Sequence, residues 1–149
     1  ASPFLVRYVW RTGKKLDLQE MHEIAGLLIG KHDFTSFRGN NSVPSDPVRN
    51  LYDITIKKEG PLYRIYVTGE GFLYHMVRNI AGALVDAGTG DMTKERLLSI
   101  LASRDRRKLG MTAPAEGLCL LKVYFQPITK EEIEKTMELP LYPWCMGQH

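Results

Sequence analysis

Arg78 stands in the run Gly69-Glu70-Gly71-Phe72-Leu73-Tyr74-His75-Met76-Val77-Arg78-Asn79-Ile80, beside aromatic rings and just off an apolar stripe. Leu73, Met76, Val77, Ile80, Ala81, Leu84 and Val85 recur at three- and four-residue spacing, which predicts one buried helix face ending near Gly88 and Gly90. Tyr74 and Arg78, four apart, then lie over one another. A guanidinium held at the edge of a core, where water is scarce, binds a carboxylate or a phosphate. The same spacing fits an arginine that only snorkels from a core helix beside a packing tyrosine, so both readings stand at this point.

A second set of cations, Arg104, Arg106, Arg107 and Lys108, crowds around Asp105 after a helix end. Cations there suit the helix dipole and equally make a compact phosphate-binding patch. Thr35, Ser36 and Arg38 follow His32-Asp33-Phe34 and are candidate hydrogen-bond donors to phosphates, with Phe34 and Phe37 plugging the core below. His32 and Asp33 are adjacent and so do not face each other as an acid/base pair. No serine or cysteine stands in a motif that completes a nucleophilic triad. Cys119 and Cys145 are the only cysteines, in no metal-ligand spacing, and Cys119 sits in an apolar strand pattern. A buried thiol is expected, with no disulfide and no metal.

Helices and a sheet must position these groups. Residues 5–11 alternate polar and apolar and predict an opening strand. A helix starts at Asp17, with Glu20 completing a capping box; Met21, Ile24, Ala25, Leu28 and Ile29 form its buried face, and Gly30 stops it. Residues 40–47 are polar and proline-bearing and predict a loop suited to mobility or ligand contact. Tyr52, Ile54 and Ile56 alternate along one hairpin strand, Lys58-Glu59-Gly60-Pro61 turns, and Tyr63, Ile65 and Val67 return. A further helix spans 93–103 with Leu97, Leu98, Ile100 and Leu101 buried, and residues 110–116 form a loop. Residues 118–125, apolar almost throughout, predict a strand covered on both faces or central in its sheet. Thr129 and Glu132 open a last capped helix before an irregular tail at 140–149, so 126–149 is a terminal appendage of a single domain, 1–149. The sum is an α+β fold, an antiparallel or mixed sheet with helices packed mainly on one face.

With 149 residues, 44% hydrophobic and 25% charged, the chain can build one domain with a real core. No stretch reaches the roughly 18 apolar residues of a membrane span, and the start shows no charged-then-apolar secretory pattern, which predicts a cytoplasmic protein without a membrane partner. A net charge of +3 is weak evidence for a nucleic-acid partner. Its distribution says more. Arg7, Arg11, Lys14 and Lys15 form a second basic stretch, with Lys14 and Lys15 read as solvated surface, while residues 129–138 are net acidic.

The run Phe72-Leu73-Tyr74-His75-Met76-Val77-Arg78-Asn79-Ile80 resembles the helix motif of the tRNA pseudouridine synthase A family. Three further stretches agree in the same order: Leu16-Asp17 through His32-Asp33-Phe34-Thr35-Ser36-Phe37-Arg38, then Ser103-Arg104-Asp105-Arg106, then Thr112-Ala113-Pro114-Ala115-Glu116-Gly117-Leu118. The resemblance implies one half of the pseudouridine synthase fold and an isomerase that converts uridine to pseudouridine in the tRNA anticodon stem-loop, with no cofactor. It implies tRNA as partner and a homodimer. It makes Arg78 the charge partner of a catalytic aspartate and Leu118 a wall of the uracil pocket. It also puts Tyr74 and His75 at the substrate, and turns Thr35, Ser36, Arg38, Arg104, Arg106 and Arg107 toward RNA.

The family's catalytic aspartate belongs to a Gly-Arg-Thr-Asp-Ala-Gly type loop in the N-terminal half, with a base-stacking tyrosine after it. Asp17, Asp33, Asp46, Asp53, Asp86, Asp91 and Asp105 have no such context. The chain is therefore expected to be the C-terminal half, inactive alone and partnered by the N-terminal half. It departs from the family pattern after Arg38, where Asn40, Asn41 and Ser42 stand near the position of a common cysteine. The alternative is a noncatalytic RNA-binding or assembly module that kept the fold. Arg78 favours the enzyme, because such a module has no need of a cation at a pocket floor.

Overall fold

Period-2 alternation lays down the sheet. In this computed structural model, which describes residues 4–38, 46–72, 75–110, 112–123 and 131, β1 (Phe4–Arg11), β2 (Gly30–Asp33), β3 (Val48–Glu59), β4 (Leu62–Gly69) and β5 (Leu118–Val123) form one five-stranded sheet in the order β2-β3-β4-β1-β5. Every pairing is antiparallel. Val6 and Tyr8 on β1, Ile54 and Ile56 on β3, and Tyr63, Ile65 and Val67 on β4 point to one face and join a single core. Among the described residues three helices close that core: α1 (Leu18–Leu28), α2 (Met76–Thr89) and α3 (Lys94–Ser103). The α+β reading, with helices packed on one face, holds.

The helices start where capping chemistry allows. The Asp17 carboxylate accepts from the backbone N–H groups of Gln19 and Glu20, and the Thr93 hydroxyl accepts from that of Arg96 at 3.1 Å. α2 ends at Gly90, in the left-handed region with φ 92°. The stripe of Met76, Val77, Ile80, Ala81, Leu84 and Val85 is buried throughout, and each large aliphatic member stabilises the fold by about 1.5–3 kcal/mol. α2 meets α1 and the residues before it at Gly88, where a Cβ would come within 2.7 Å of Leu16 Cβ and 3.1 Å of Met21 Sδ.

Several expectations need correction. Ile29 is 36% exposed, because ψ 143° takes it out of the helix as β2 begins at Gly30. Leu98 is 46% exposed on the outer side of α3, while Leu97 and Ile100 are buried. A bulge between Leu51 and Asp53 makes Leu51, not Tyr52, the core partner of Ile54; the Tyr52 hydroxyl instead bonds Glu70 Oε1 at 2.5 Å. β2 has no counterpart among the expected strands. β5 lies at an edge of the described sheet rather than at its centre. Arg7, counted with the second basic stretch, is 5% exposed and so adds nothing to a surface patch. Cys119 is no free thiol: it is disulfide-bonded. The loop expected at 40–47 falls mostly outside the described residues. So do Leu73, Tyr74 and nearly all of the expected terminal helix and tail.

Candidate functional site

The start of α2 is electropositive by construction. His75 occupies the cap position in the left-handed region, with φ 60°, and its own side chain makes no capping hydrogen bond. Arg78 sits in the first turn, where the helix dipole already favours anions, so guanidinium and dipole add rather than compensate. Arg78 is half-buried. Its Nε donates to the carbonyl of Ala113 at 2.8 Å, and the Ala113 N–H donates back to the Arg78 carbonyl at 3.1 Å. This reciprocal pair fixes the guanidinium against the loop at 112–117. Among the described residues no carboxylate forms an ion pair with it.

The loop is held from the sheet as well. The Tyr8 hydroxyl donates to the carbonyl of Pro114, and burial, despite nearby Arg78, pushes the Tyr8 phenol up to about 12. Gly117 passes so close to β1 that a Cβ there would lie 2.9 Å from the Tyr8 ring. Leu118 follows as the first residue of β5, opposite Tyr8 in the register and packed against the core. Arg78, Tyr8, the loop and Leu118 therefore form one group.

Asn79 ties a third segment to it. Fully buried, it donates from Nδ2 to the Phe37 carbonyl at 2.6 Å; its Oδ1 accepts from Thr112 Oγ1 at 2.5 Å and from Arg106 Nη2 at 3.2 Å. Arg106 also donates to Thr112 Oγ1 and, at 3.2 Å, to the Leu109 carbonyl, and its partial burial lowers its pKa. Arg106 is thus a strut beneath the loop. Neither Asn79 nor Tyr8 stands out in the sequence as a functional residue. Asn79 does carry a signal, a polar residue set inside an apolar stripe.

The remaining cations gather around the 3-10 turn at Thr35–Phe37. Arg104 Nε lies 3.3 Å from Asp33 Oδ2 with a largely exposed side chain, and Arg107 grips Asp105 through Nε and Nη2, both at 3.1 Å. Burial pushes Asp33 up, but the Thr35 hydroxyl and N–H it accepts, with Arg104 and Arg38, outweigh this and hold it below the usual carboxylate range. Thr35 is spent on Asp33 at 2.9 and 2.6 Å. Ser36 is fully buried, its hydroxyl donating to the Ile100 carbonyl at 2.6 Å, so it faces the protein interior and not a ligand. Tyr74 lies outside the described residues. The surface groove bounded by Lys15, Asp17, Gln19 and Lys58 lies by Gly88 and holds none of these residues. Among the described residues no group of His, Cys, Asp or Glu is arranged to hold a metal ion, and no helix is long and apolar enough to cross a membrane.

The field is legible in His75, whose pKa is lowered by burial first and then by Arg78 and Arg106. A histidine that is harder to protonate in the folded than in the unfolded chain contributes stability above its unfolded pKa of about 6.5, and loses it as pH falls through that value. His75→Asn keeps a residue tolerant of positive φ. Its melting temperature is expected to fall less than that of wild type between about pH 7.5 and 5.5. Parallel melting curves against pH contradict this.

The chain matches the family described as tRNA pseudouridine synthase over residues 24–126. It is similar to tRNA pseudouridine synthase A of Thermoanaerobacter sp. (strain X514), 39% identical over 83% of this chain and 50% of that protein. The same name belongs to a relative in Pelobacter propionicus, 43% identical over 83% of this chain and 51% of that protein. tRNA pseudouridine synthase A 2 of Clostridium perfringens is 41% identical over 79% of this chain and 48% of its own length. The chain spans about half the length of these curated relatives. With Arg78, the loop and Leu118 gathered inside the matched stretch, the chain belongs to the tRNA pseudouridine synthase family.

Proposed function

We propose that this chain is the half of a tRNA pseudouridine synthase A type enzyme that meets, through Arg78, a catalytic aspartate carried on an N-terminal half. The joined enzyme isomerises uridine to pseudouridine in the tRNA anticodon stem-loop and needs no cofactor. The observation that carries this reading is Arg78 itself. It sits in the first turn of α2, where the helix dipole favours an anion, locked at 2.8 Å to Ala113, with no carboxylate of the described residues paired to it. A guanidinium and a helix start together favour the charged form of an arriving carboxylate, which is what an aspartate nucleophile needs.

The reaction breaks the bond between uracil N1 and the ribose, turns the base and rejoins it through C5, so the base must leave the stack. Leu118 is proposed as an apolar wall for it, with Tyr74 and His75 beside it. Arg38, Arg104 and Arg107 are proposed to meet phosphates, while Thr35, whose donors go to Asp33, orders the turn beside them. A homodimer belongs to the same proposal and rests on the resemblance. The test is tritium release from labelled tRNA: the 149-residue chain alone is expected to release none, and the chain joined to its N-terminal half to turn over. Turnover by the chain alone sinks the reading, and so does failure of the joined enzyme.

The proposed RNA-facing cations have their own readout. Arg104→Ala with Arg107→Ala in the joined enzyme is expected to weaken tRNA binding and reduce the salt slope by about 1 for each phosphate that is no longer neutralised. Stability is expected to change by roughly 0–1 kcal/mol per exposed charge. Arg106 is left in place because it braces Asn79 and Thr112. Equal salt slopes in filter binding leave this cluster as solvated surface.

A further inference from the structure

Strand alternation gives the sheet a second face. Leu5 and Arg7 on β1, Tyr66 and Thr68 on β4, and Cys119 on β5 point away from the helices. The register sets Leu5 opposite Thr68, and Arg7 between Tyr66 and Cys119. All the buried apolar residues of α1, α2 and α3 belong to the core on the other side, and among the described residues Leu5, Tyr66 and Cys119 are the buried apolar ones that do not join it. Yet this patch, free of the described helices, is dry: Leu5 is 0% exposed, Thr68 1%, Cys119 3%, and Arg7 and Tyr66 5% each. An apolar sheet face so fully removed from water requires a covering layer.

Three facts identify the cover. Cys119, opposite Arg7 on the edge strand of the patch, is disulfide-bonded, and the chain has one other cysteine, Cys145. The family match ends at residue 126, so Cys145 lies in a segment that the family pattern does not account for. That segment combines apolar Ile133, Met137, Leu141 and Trp144 with Glu131, Glu132, Glu134 and Glu138. The patch is basic at its centre: Arg7 Nε is buried without a hydrogen-bond partner, and Arg64 and Lys57 flank Tyr66 on the same face. An acidic, amphipathic segment complements an apolar face that carries a buried guanidinium.

We propose that residues 127–149 pack across the helix-free face of the sheet and are fastened there by a Cys119–Cys145 disulfide, so that the chain covers this face itself instead of with a second copy. Closing the bond removes two protons and two electrons from the two thiols. A low-molecular-weight disulfide takes them up and leaves as two thiols, by exchange through a mixed disulfide. A homodimer of the whole enzyme then has to form on another surface.

The test uses the full chain equilibrated with oxidised glutathione. Maleimide tagging after denaturation without reductant is expected to add no tag, and peptide mapping to join the Cys119 and Cys145 peptides within one monomer. Two tags, or a disulfide joining two chains, overturn the proposal. Cys145→Ser, which leaves the sheet residues intact, is expected to raise carbene labelling of peptides 4–11 and 62–69 severalfold while far-UV circular dichroism stays that of a folded chain. Unchanged labelling in a folded Cys145→Ser chain overturns it. Protection of those peptides that appears only at concentrations where sedimentation shows a dimer assigns the face to a second copy and overturns it as well.

Discussion

Arg78→Ala is expected to lower the single-turnover rate of the complete enzyme by roughly 100- to 1000-fold, the usual cost of removing one preorganised electrostatic partner from a reacting centre. Affinity for tRNA is expected to change little, because on the proposed reading phosphate contacts spread over Arg38, Arg104 and Arg107 hold the substrate and Arg78 acts only where charge develops. The fold loses the Nε bond to Ala113, worth about 1 kcal/mol, so the variant stays folded. Arg78→Lys is expected not to restore the rate. An ammonium keeps the charge but cannot hold Ala113 with one nitrogen and present two more to a carboxylate. An arginine that merely snorkels gives a different pattern: Lys is tolerated, and the Ala variant keeps its turnover per folded molecule.

Asn79→Ala is expected to be the most damaging change to stability, at about 2–4 kcal/mol, because it strips partners from three groups at once. The Phe37 carbonyl, Thr112 Oγ1 and Arg106 Nη2 all bond this one buried amide. One of the three, Thr112, is on the segment that carries Ala113 and Pro114, and Arg106 braces Thr112 from outside it, so the loss spreads to the support of Arg78. Urea denaturation measures it: the midpoint falls while the slope, which reports surface exposed on unfolding, stays the same. A midpoint shift worth less than about 1 kcal/mol contradicts the strut assigned to Asn79.

The two features most legible in the sequence are the hairpin and the helices, since Ile54, Ile56, Tyr63, Ile65 and Val67 alternate and the Met76 to Val85 stripe repeats at helical spacing. Periodicity fails where geometry changes within one residue. Ile29 keeps the helical phase but has left the helix, and the bulge at Leu51 exchanges the faces of Leu51 and Tyr52. Arg78 can be chosen from its motif, yet its lock on Ala113, 35 residues on, is a tertiary contact that no spacing encodes. The same holds for Tyr8 and Pro114, separated by 106 positions. Arg106 looks like its neighbours Arg104 and Arg107 because a run of cations says nothing about which member turns inward. Cys119 is misread from sequence for a related reason: the distance along the chain between two cysteines carries no information on their separation in space.

The acid limb of the single-turnover rate against pH tests the pairing of Arg78 with the catalytic aspartate most directly. In the joined enzyme that limb reports protonation of the aspartate that must be ionised to react. A neighbouring guanidinium holds such a carboxyl below the usual range, so its stabilisation of the charged form is lost only as pH falls through the lowered pKa. Removing Arg78 is expected to move the limb to higher pH, along with the fall in maximal rate. An Arg78→Ala enzyme that is folded, binds tRNA and shows the wild-type acid limb at a near wild-type rate contradicts the account.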